Sequence, residues 1–307
     1  MSPHYIYWRF LFWPQFAGAV FLVFALIVLR KQLSFRFDAL PIFGRVFVPF
    51  ALAVFGGEHF ASANFMKDMI PTYVPAHLFF TYFVGVCLFA AATSIILDRH
   101  VELSGSLLGL MFVLFVLMLH LPRALQLHND RFAWAVATRE CFFATGVWTL
   151  AATRIAARRP ALARRSIADW LITVCRVSAA FVLLFYGVEH LLHPEYTPGV
   201  PLPQLSPAWL PWKHVWGFCI GVLELASGVA MLINKKARAV TTLLGVGVTV
   251  VVLCINLPMW ALASQSDLTT AINYVGDTLL FAGIIFLLGD AMPVEKEAGP
   301  VSTVYAR

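Results

Sequence analysis

Phe55-Gly56-Gly57-Glu58-His59 and Tyr186-Gly187-Val188-Glu189-His190 repeat one theme, and each closes a long apolar run. Working outward without a gap, residues 45 to 60 align with 176 to 191: Arg45 meets Arg176, Val46 Val177, Phe50 Phe181 and Leu52 Leu183, ahead of Gly56/Gly187, Glu58/Glu189 and His59/His190. A second block pairs Leu107-Leu108-Gly109 with Leu243-Leu244-Gly245 and His120-Leu121-Pro122 with Asn256-Leu257-Pro258. The offset grows by five residues between the blocks, which places an insertion in the loop after the Glu-His pair. In the last helix of each copy, Glu140 and Gly146 correspond to Asp277 and Gly283. The chain reads as a tandem duplication of a four-helix unit.

Composition sets the solvent. Sixty percent of the residues are hydrophobic and only 12% charged, with a mean hydropathy of +0.80; a soluble domain carries roughly 25% charged residues. Crossing a bilayer as a helix takes about 20 apolar residues, and backbone hydrogen bonding in lipid leaves an all-α bundle as the fold class. Nine spans are expected, near residues 11 to 29, 43 to 60, 75 to 97, 103 to 122, 133 to 154, 168 to 192, 212 to 233, 239 to 258 and 269 to 289. The first lacks a basic leader and a small-residue cleavage site, so it reads as a retained helix.

The formal charge of +6 needs no nucleic-acid partner, because the basic residues sit in alternate loops. Arg30, Lys31 and Arg36 follow span one, Arg99 span three, Arg154, Arg158, Arg159, Arg164 and Arg165 span five, and Lys235, Lys236 and Arg238 span seven. The opposite loops hold only Arg9, Lys67, Arg123 and Arg131. The positive-inside rule then predicts an N-terminus outside and a C-terminus inside, in a bacterial cytoplasmic membrane, with the basic 154 to 165 loop open to anionic lipid. The predicted organisation is an N-terminal helix and basic loop over 1–42, a first unit over 43–154, a basic cytoplasmic linker over 155–167, a second unit over 168–290 and a disordered tail over 291–307. Units with an even number of spans share one orientation, so they are expected to be parallel and to pack face to face about an axis along the membrane normal.

Cys87, Cys141, Cys175, Cys219 and Cys254 all fall inside spans with no Cys-x-x-Cys pair, which predicts inert buried thiols. The proline-rich stretch Pro194 to Pro211, ending in Trp209 and Trp212, reads as a stiff segment able to cap the outer end of the bundle.

Candidate chemistry gathers at that outer end. Glu58, His59, Glu189, His190 and His193 finish upward helices, His77 and His214 begin the following downward ones, and His120 and Asn256 end the next upward ones. Ionisable groups within a membrane are costly and face a bundle interior or a hydrated cavity. Glu189, His190 and His193 stand at helical spacing that a metal ion can use, although Glu-His-x-x-His is no zinc-protease signature. Carboxylate and imidazole together can also relay protons. Neighbours on a helix do not face each other, so Glu58 is expected to pair with His77 or His120, and Glu189 with His214. Deeper in the spans lie Glu140, Asp277 and Glu224; Glu224, near mid-span, must be protonated or partnered, and its counterpart Leu88 has no carboxylate. Helix-end capping and hydrogen bonding between helices are the plainer reading of all these groups. Haem, with His59 and His190 as axial ligands, ranks below both metal and proton transfer.

Tyr186-Gly187-Val188-Glu189-His190, Gly221-Val222-Leu223-Glu224-Leu225-Ala226-Ser227-Gly228, the basic turn Lys235-Lys236-Ala237-Arg238-Ala239 and a final helix from Asp277 to Gly289 resemble the DoxX-like family of small four-helix membrane proteins. The first copy looks like a degenerate version without the mid-helix Glu, and the resemblance covers about residues 43 to 290. It implies a four-helix bundle per unit and, for some members, association with membrane redox systems, including a subunit of thiosulfate:quinone oxidoreductase. The family's first-helix histidine carries over to His190 and, through the repeat, to His59; its second-helix Glu carries over to Glu224 alone. Since no flavin, nucleotide or iron–sulfur motif is present, a redox role needs a quinone, a metal or a partner subunit. The leading expectation is a quinone-linked membrane subunit whose His/Glu layer binds a polar head or moves protons. A noncatalytic accessory or receptor protein engaging a membrane or extracytoplasmic partner, and a small-solute transporter, are the alternatives.

Overall fold

The computed structural model describes residues 3–158, 162–201, 203–264 and 267–293. Their long helices are α1 (Pro3–Leu29), α2 (Gly44–Ala61), α3 (His77–Leu97), α4 (Val101–Phe115), α5 (Arg131–Arg158), α6 (Leu162–Leu192), α7 (Lys213–Ile233), α8 (Ala237–Val251) and α9 (Leu268–Ala291). Among the described residues the only extended pairing is an isolated antiparallel bridge, Tyr196 to Leu205. Among the described residues seven helical stretches are long and apolar enough to cross a membrane: Phe37–Ala61, His77–Leu97, Val101–Gln126, Ile167–Leu192, Lys213–Ile233, Ala237–Ala261 and Thr270–Ala291. The molecule is an all-helical, multi-pass integral membrane protein. The other two expected spans fall on α1, in which Trp13–Leu29 is an apolar stretch among the described residues, and on α5. At 28 residues α5 rises about 42 Å, but Arg139 and Glu140 in its interior lower its hydropathy.

Segments α2–α5 and α6–α9 share unusual backbone features at matched positions. Ala76 and Trp212 precede α3 and α7 in the left-handed conformation, and the tight turns that follow these helices place Asp98 and His100, then Asn234 and Lys236, in the same region. Non-glycine residues rarely sit there. Helices α4 and α8 both widen into a π turn, Val116–His120 and Val252–Asn256, before a short α-helix. Proline explains this. Pro122 and Pro258 lack an N–H and their rings crowd the carbonyls four residues back, at Met118 and Cys254, so the ladder shifts to a longer repeat. At the basic end, Arg45 donates to the Ile95 and Ile96 carbonyls, and Arg176 to that of Met231, giving partners to the last carbonyls of α3 and α7.

Helix α9 is the centre of the molecule, packed against α2, α5 and α8, and α5 packs in turn on α4, α6 and α9. Aromatic rings fill the middle: Phe281 lies 4.8 Å from Phe142 and 5.7 Å from Tyr186, centroid to centroid. Small residues let the helices approach, as is usual where no hydrophobic drive operates between helices in lipid. A Cβ on Gly146 would stand 2.4 Å from Ile284 Cγ2, and one on Gly44 2.9 Å from the Gly283 carbonyl.

The linker expected over 155–167 is mostly helix: α5 continues to Arg158 and α6 starts at Leu162. Two arginines hold the last turns of α5 in place: Arg154 donates to Asp98 at 2.7 Å and Arg158 to Glu102 at 2.9 Å, tying this end to the α3–α4 turn. Arg159 and the tail from 294 onward lie outside the described residues. Cysteine burial differs from expectation too: Cys175 is buried, but Cys219 and Cys254 face outward from the bundle.

Replacing Gly146 with Val should force α5 from α9 and lower stability by about 1–3 kcal/mol, the usual effect of overpacking. Thermal unfolding in detergent would measure the loss, and Ile284→Ala in the same chain should recover part of it.

Candidate functional site

Two glycines position the central pair. Helices α6 and α7 cross where Gly187 and Gly221 meet; a Cβ on Gly187 would lie 2.8 Å from the Gly221 carbonyl, and one on Gly221 3.0 Å from His190 Cβ. The His190 ring is thereby pressed onto α7. Its Nδ1 stands 2.8 Å from Glu224 Oε2 and 2.9 Å from the Tyr186 carbonyl, while Nε2 accepts the backbone N–H of Gly199 at 3.2 Å. A ring nitrogen that accepts carries no proton, so these partners assign the neutral tautomer with its proton on Nδ1. Glu224 has found its partner, and both side chains are almost wholly buried, at 3% and 0% exposure. Among the described residues Glu224 Oε1 has no hydrogen-bond partner.

A second cluster bridges α5 and α9. Arg139 donates from Nη1 to Asp277 Oδ2 at 2.6 Å and from Nη2 to Glu140 Oε1 at 2.8 Å. Both expected carboxylates are present, joined by an arginine that sequence reasoning did not nominate. Its signal was available, as a guanidinium inside the apolar run 133 to 154. His120, half-buried at the end of its π turn, lies within electrostatic reach of Glu140 and Arg139. Asn256, at the matched position of the other π turn, donates to the Tyr274 carbonyl at 3.1 Å and to Thr278 Oγ1 at 2.8 Å.

The pairings expected for Glu58 and Glu189 differ from those found. Glu58 faces α9: the Asn273 amide, turned with its nitrogen toward the carboxylate, donates at 2.7 and 3.0 Å. His77 instead contacts the Pro71 carbonyl at 3.2 Å. Glu189 accepts from Arg131 Nη1 at 2.7 Å, and His214 is exposed. The reason is the side of the helix each carboxylate occupies: α2 packs on both α3 and α9 and α6 on both α5 and α7, and Glu58 and Glu189 lie on the α9 and α5 sides. His59 repeats the backbone contact of His190, with Nδ1 2.8 Å from the Phe55 carbonyl, but Leu88 at the matched position on α3 offers no carboxylate.

Metal ligation by Glu189, His190 and His193 is not assembled. Arg131 takes Glu189, His190 turns to Glu224, and His193 lies 3.5 Å from Glu195. Among the described residues no group of three or more His, Cys, Asp or Glu side chains is placed to hold a metal ion. Both ring nitrogens of His190 are engaged, which leaves it unavailable as an axial haem ligand in this conformation.

Arg139→Met should leave Glu140 and Asp277 as buried carboxylates without a cation, at a cost of about 3–5 kcal/mol. Denaturation of the variant beside Arg139→Met/Glu140→Gln/Asp277→Asn, which should be closer to wild type, would separate lost charge pairing from lost packing. No family model, curated protein or solved structure matches this chain, so its function is argued from the geometry above.

Proposed function

We propose that this chain is a proton-relaying subunit of a quinone-linked membrane redox system, with His190 and Glu224 as the relay. The observation that carries the reading is the bonding of His190 at both ring nitrogens, with the Nδ1 proton directed at a buried carboxylate. A proton delivered to Nε2 makes an imidazolium stabilised by Glu224. Release of the Nδ1 proton to Oε2 then restores a neutral ring, so one proton has passed across it. Arg139, Glu140 and Asp277 hold the neighbouring helices and supply fixed charge nearby. The acceptor at Nε2 suits the hydroxyl of a reduced quinone, whose chemistry when bound is to yield protons and electrons together.

The architecture proposed with this function is an N-terminal helix followed by two parallel four-helix units of DoxX-like type, nine spans in all. Left-handed turns, π turns and arginine–carbonyl contacts at matched positions of α2–α5 and α6–α9 support it. The arginine-rich turns at one end favour an N-terminus outside and a C-terminus inside a bacterial cytoplasmic membrane. A specific observation favours an accessory or receptor role as the second reading. Leu205, Trp209 and Trp212 are 55%, 47% and 81% exposed on the proline-rich segment, an apolar face for another protein.

An oxidised-minus-reduced spectrum of protein purified in native lipid tests the proposal. A near-stoichiometric quinone signal is expected, lost in His190→Ala. Glu224→Gln should keep the signal while slowing quinol-linked proton release about a hundredfold, the scale of general acid–base catalysis. A silent spectrum from folded protein would sink this reading and leave the accessory one.

A further inference from the structure

The stretch after His193 is more than a cap. Thr197 N–H donates to the Gln204 carbonyl at 2.8 Å and Ser206 N–H to that of Glu195 at 2.9 Å, closing a small hairpin around the Tyr196–Leu205 bridge. Its tip, Thr197 to Pro201, is buried within the bundle. Gly199 adopts a φ of +113°, and a Cβ there would lie 2.9 Å from Thr278 Cγ2, so glycine alone fits without strain. From this position Gly199 gives its N–H to His190. Outside, the Arg131 guanidinium lies 4.4 Å from the centre of the Tyr196 ring and pairs with Glu189, latching the hairpin to α5 and α6.

The closed arrangement satisfies its polar groups poorly. Of nine buried side-chain polar atoms without a partner among the described residues, five belong to the hairpin, its latch or the groups beneath it: Thr197 Oγ1, Ser206 Oγ, Arg131 Nη2, Glu224 Oε1 and Asn256 Oδ1. Each such orphan costs about 1–3 kcal/mol, and the other four are scattered over the bundle, so the hairpin and its surroundings are where the closed arrangement is least satisfied. Among the described residues Gln204, on the returning side of the hairpin, bonds Tyr274 through its backbone, and the tip gives the bundle a hydrogen bond to His190 Nε2. With Nδ1 committed to Glu224 and Tyr186, only another donor can replace it.

We infer that the hairpin tip is a built-in stand-in for a ligand, occupying a site whose true occupant is an apolar molecule carrying a hydroxyl donor for His190 Nε2. The inference rests on the relay reading and narrows it: the reduced, hydroxyl-bearing form of a quinone binds by displacing residues 197 to 201, and a body of the same shape without the hydroxyl does not.

The test uses the full chain in lipid nanodiscs with a decyl-substituted hydroquinone and, as the matched probe, its dimethyl ether. Tryptophan quenching measures binding and hydrogen–deuterium exchange follows residues 195 to 206. Saturating hydroquinone should accelerate exchange at the tip about tenfold and the ether should leave it unchanged. Gly199→Ala weakens the internal competitor, so it should open the hairpin without ligand and tighten hydroquinone binding about tenfold, as expected when a larger fraction of the protein is binding-competent. Hydroquinone binding with unchanged exchange, equal effects of the ether, no binding of either probe, or weaker binding by Gly199→Ala would each overturn the inference. Displacement by hydroquinone in a Glu224→Gln protein that has kept normal proton release would uphold this site while removing the relay.

Discussion

A charge removed from water must meet an opposite charge or a full set of hydrogen bonds, and in a bundle this apolar that requirement decides which helices touch. Arg139 meets it by holding Glu140 on its own helix and Asp277 on α9. The effective penalty of burying an ion is several kcal/mol, so α5 and α9 cannot part without exposing one of these groups to lipid. Around that tie the rest is arranged: α9 in the centre, Gly146 against Ile284, the Phe142–Phe281–Tyr186 rings alongside. Glu58 on α2 is brought to the same helix through Asn273.

The same requirement distinguishes the two histidines of the Glu-His theme. His190 reaches a carboxylate across the α6–α7 crossing, and His59, with Leu88 in the matched position, reaches only its own helix. The buried His–Glu pair is therefore confined to one half of a molecule that has left-handed and π turns at matched positions in both. The side without it contributes Arg139 and Arg131, which act on residues of the other, Asp277 and Glu189.

Helix positions were legible in the sequence because apolar run length reports them directly; α3, expected at 75 to 97, runs from His77 to Leu97. Helix neighbours were not legible. Glu58 was assigned to the next helices along the chain, whereas packing sets it against the last. The left-handed turns at Ala76, Trp212 and His100 had no glycine to announce them, although Pro122 and Pro258 did mark the π turns. Of the site, His190, Glu224, Glu140 and Asp277 could be named from charge inside apolar runs. By the same criterion Arg139 was readable. Gly199 was not, because its role depends on a hairpin folding back to a helix already passed.

The crossing of charges between α2–α5 and α6–α9 bears on whether such a chain can be divided. Severed between α5 and α6, the first piece would carry Arg139 with Glu140 alone, and the second would carry Asp277 with no cation at all. The second fragment would bury a carboxylate without its cation, at a cost of about 3–5 kcal/mol, so the two pieces are expected to be stable only in association. Glu189 would likewise be left without Arg131, so the two halves hold together through charges that the second cannot neutralise alone.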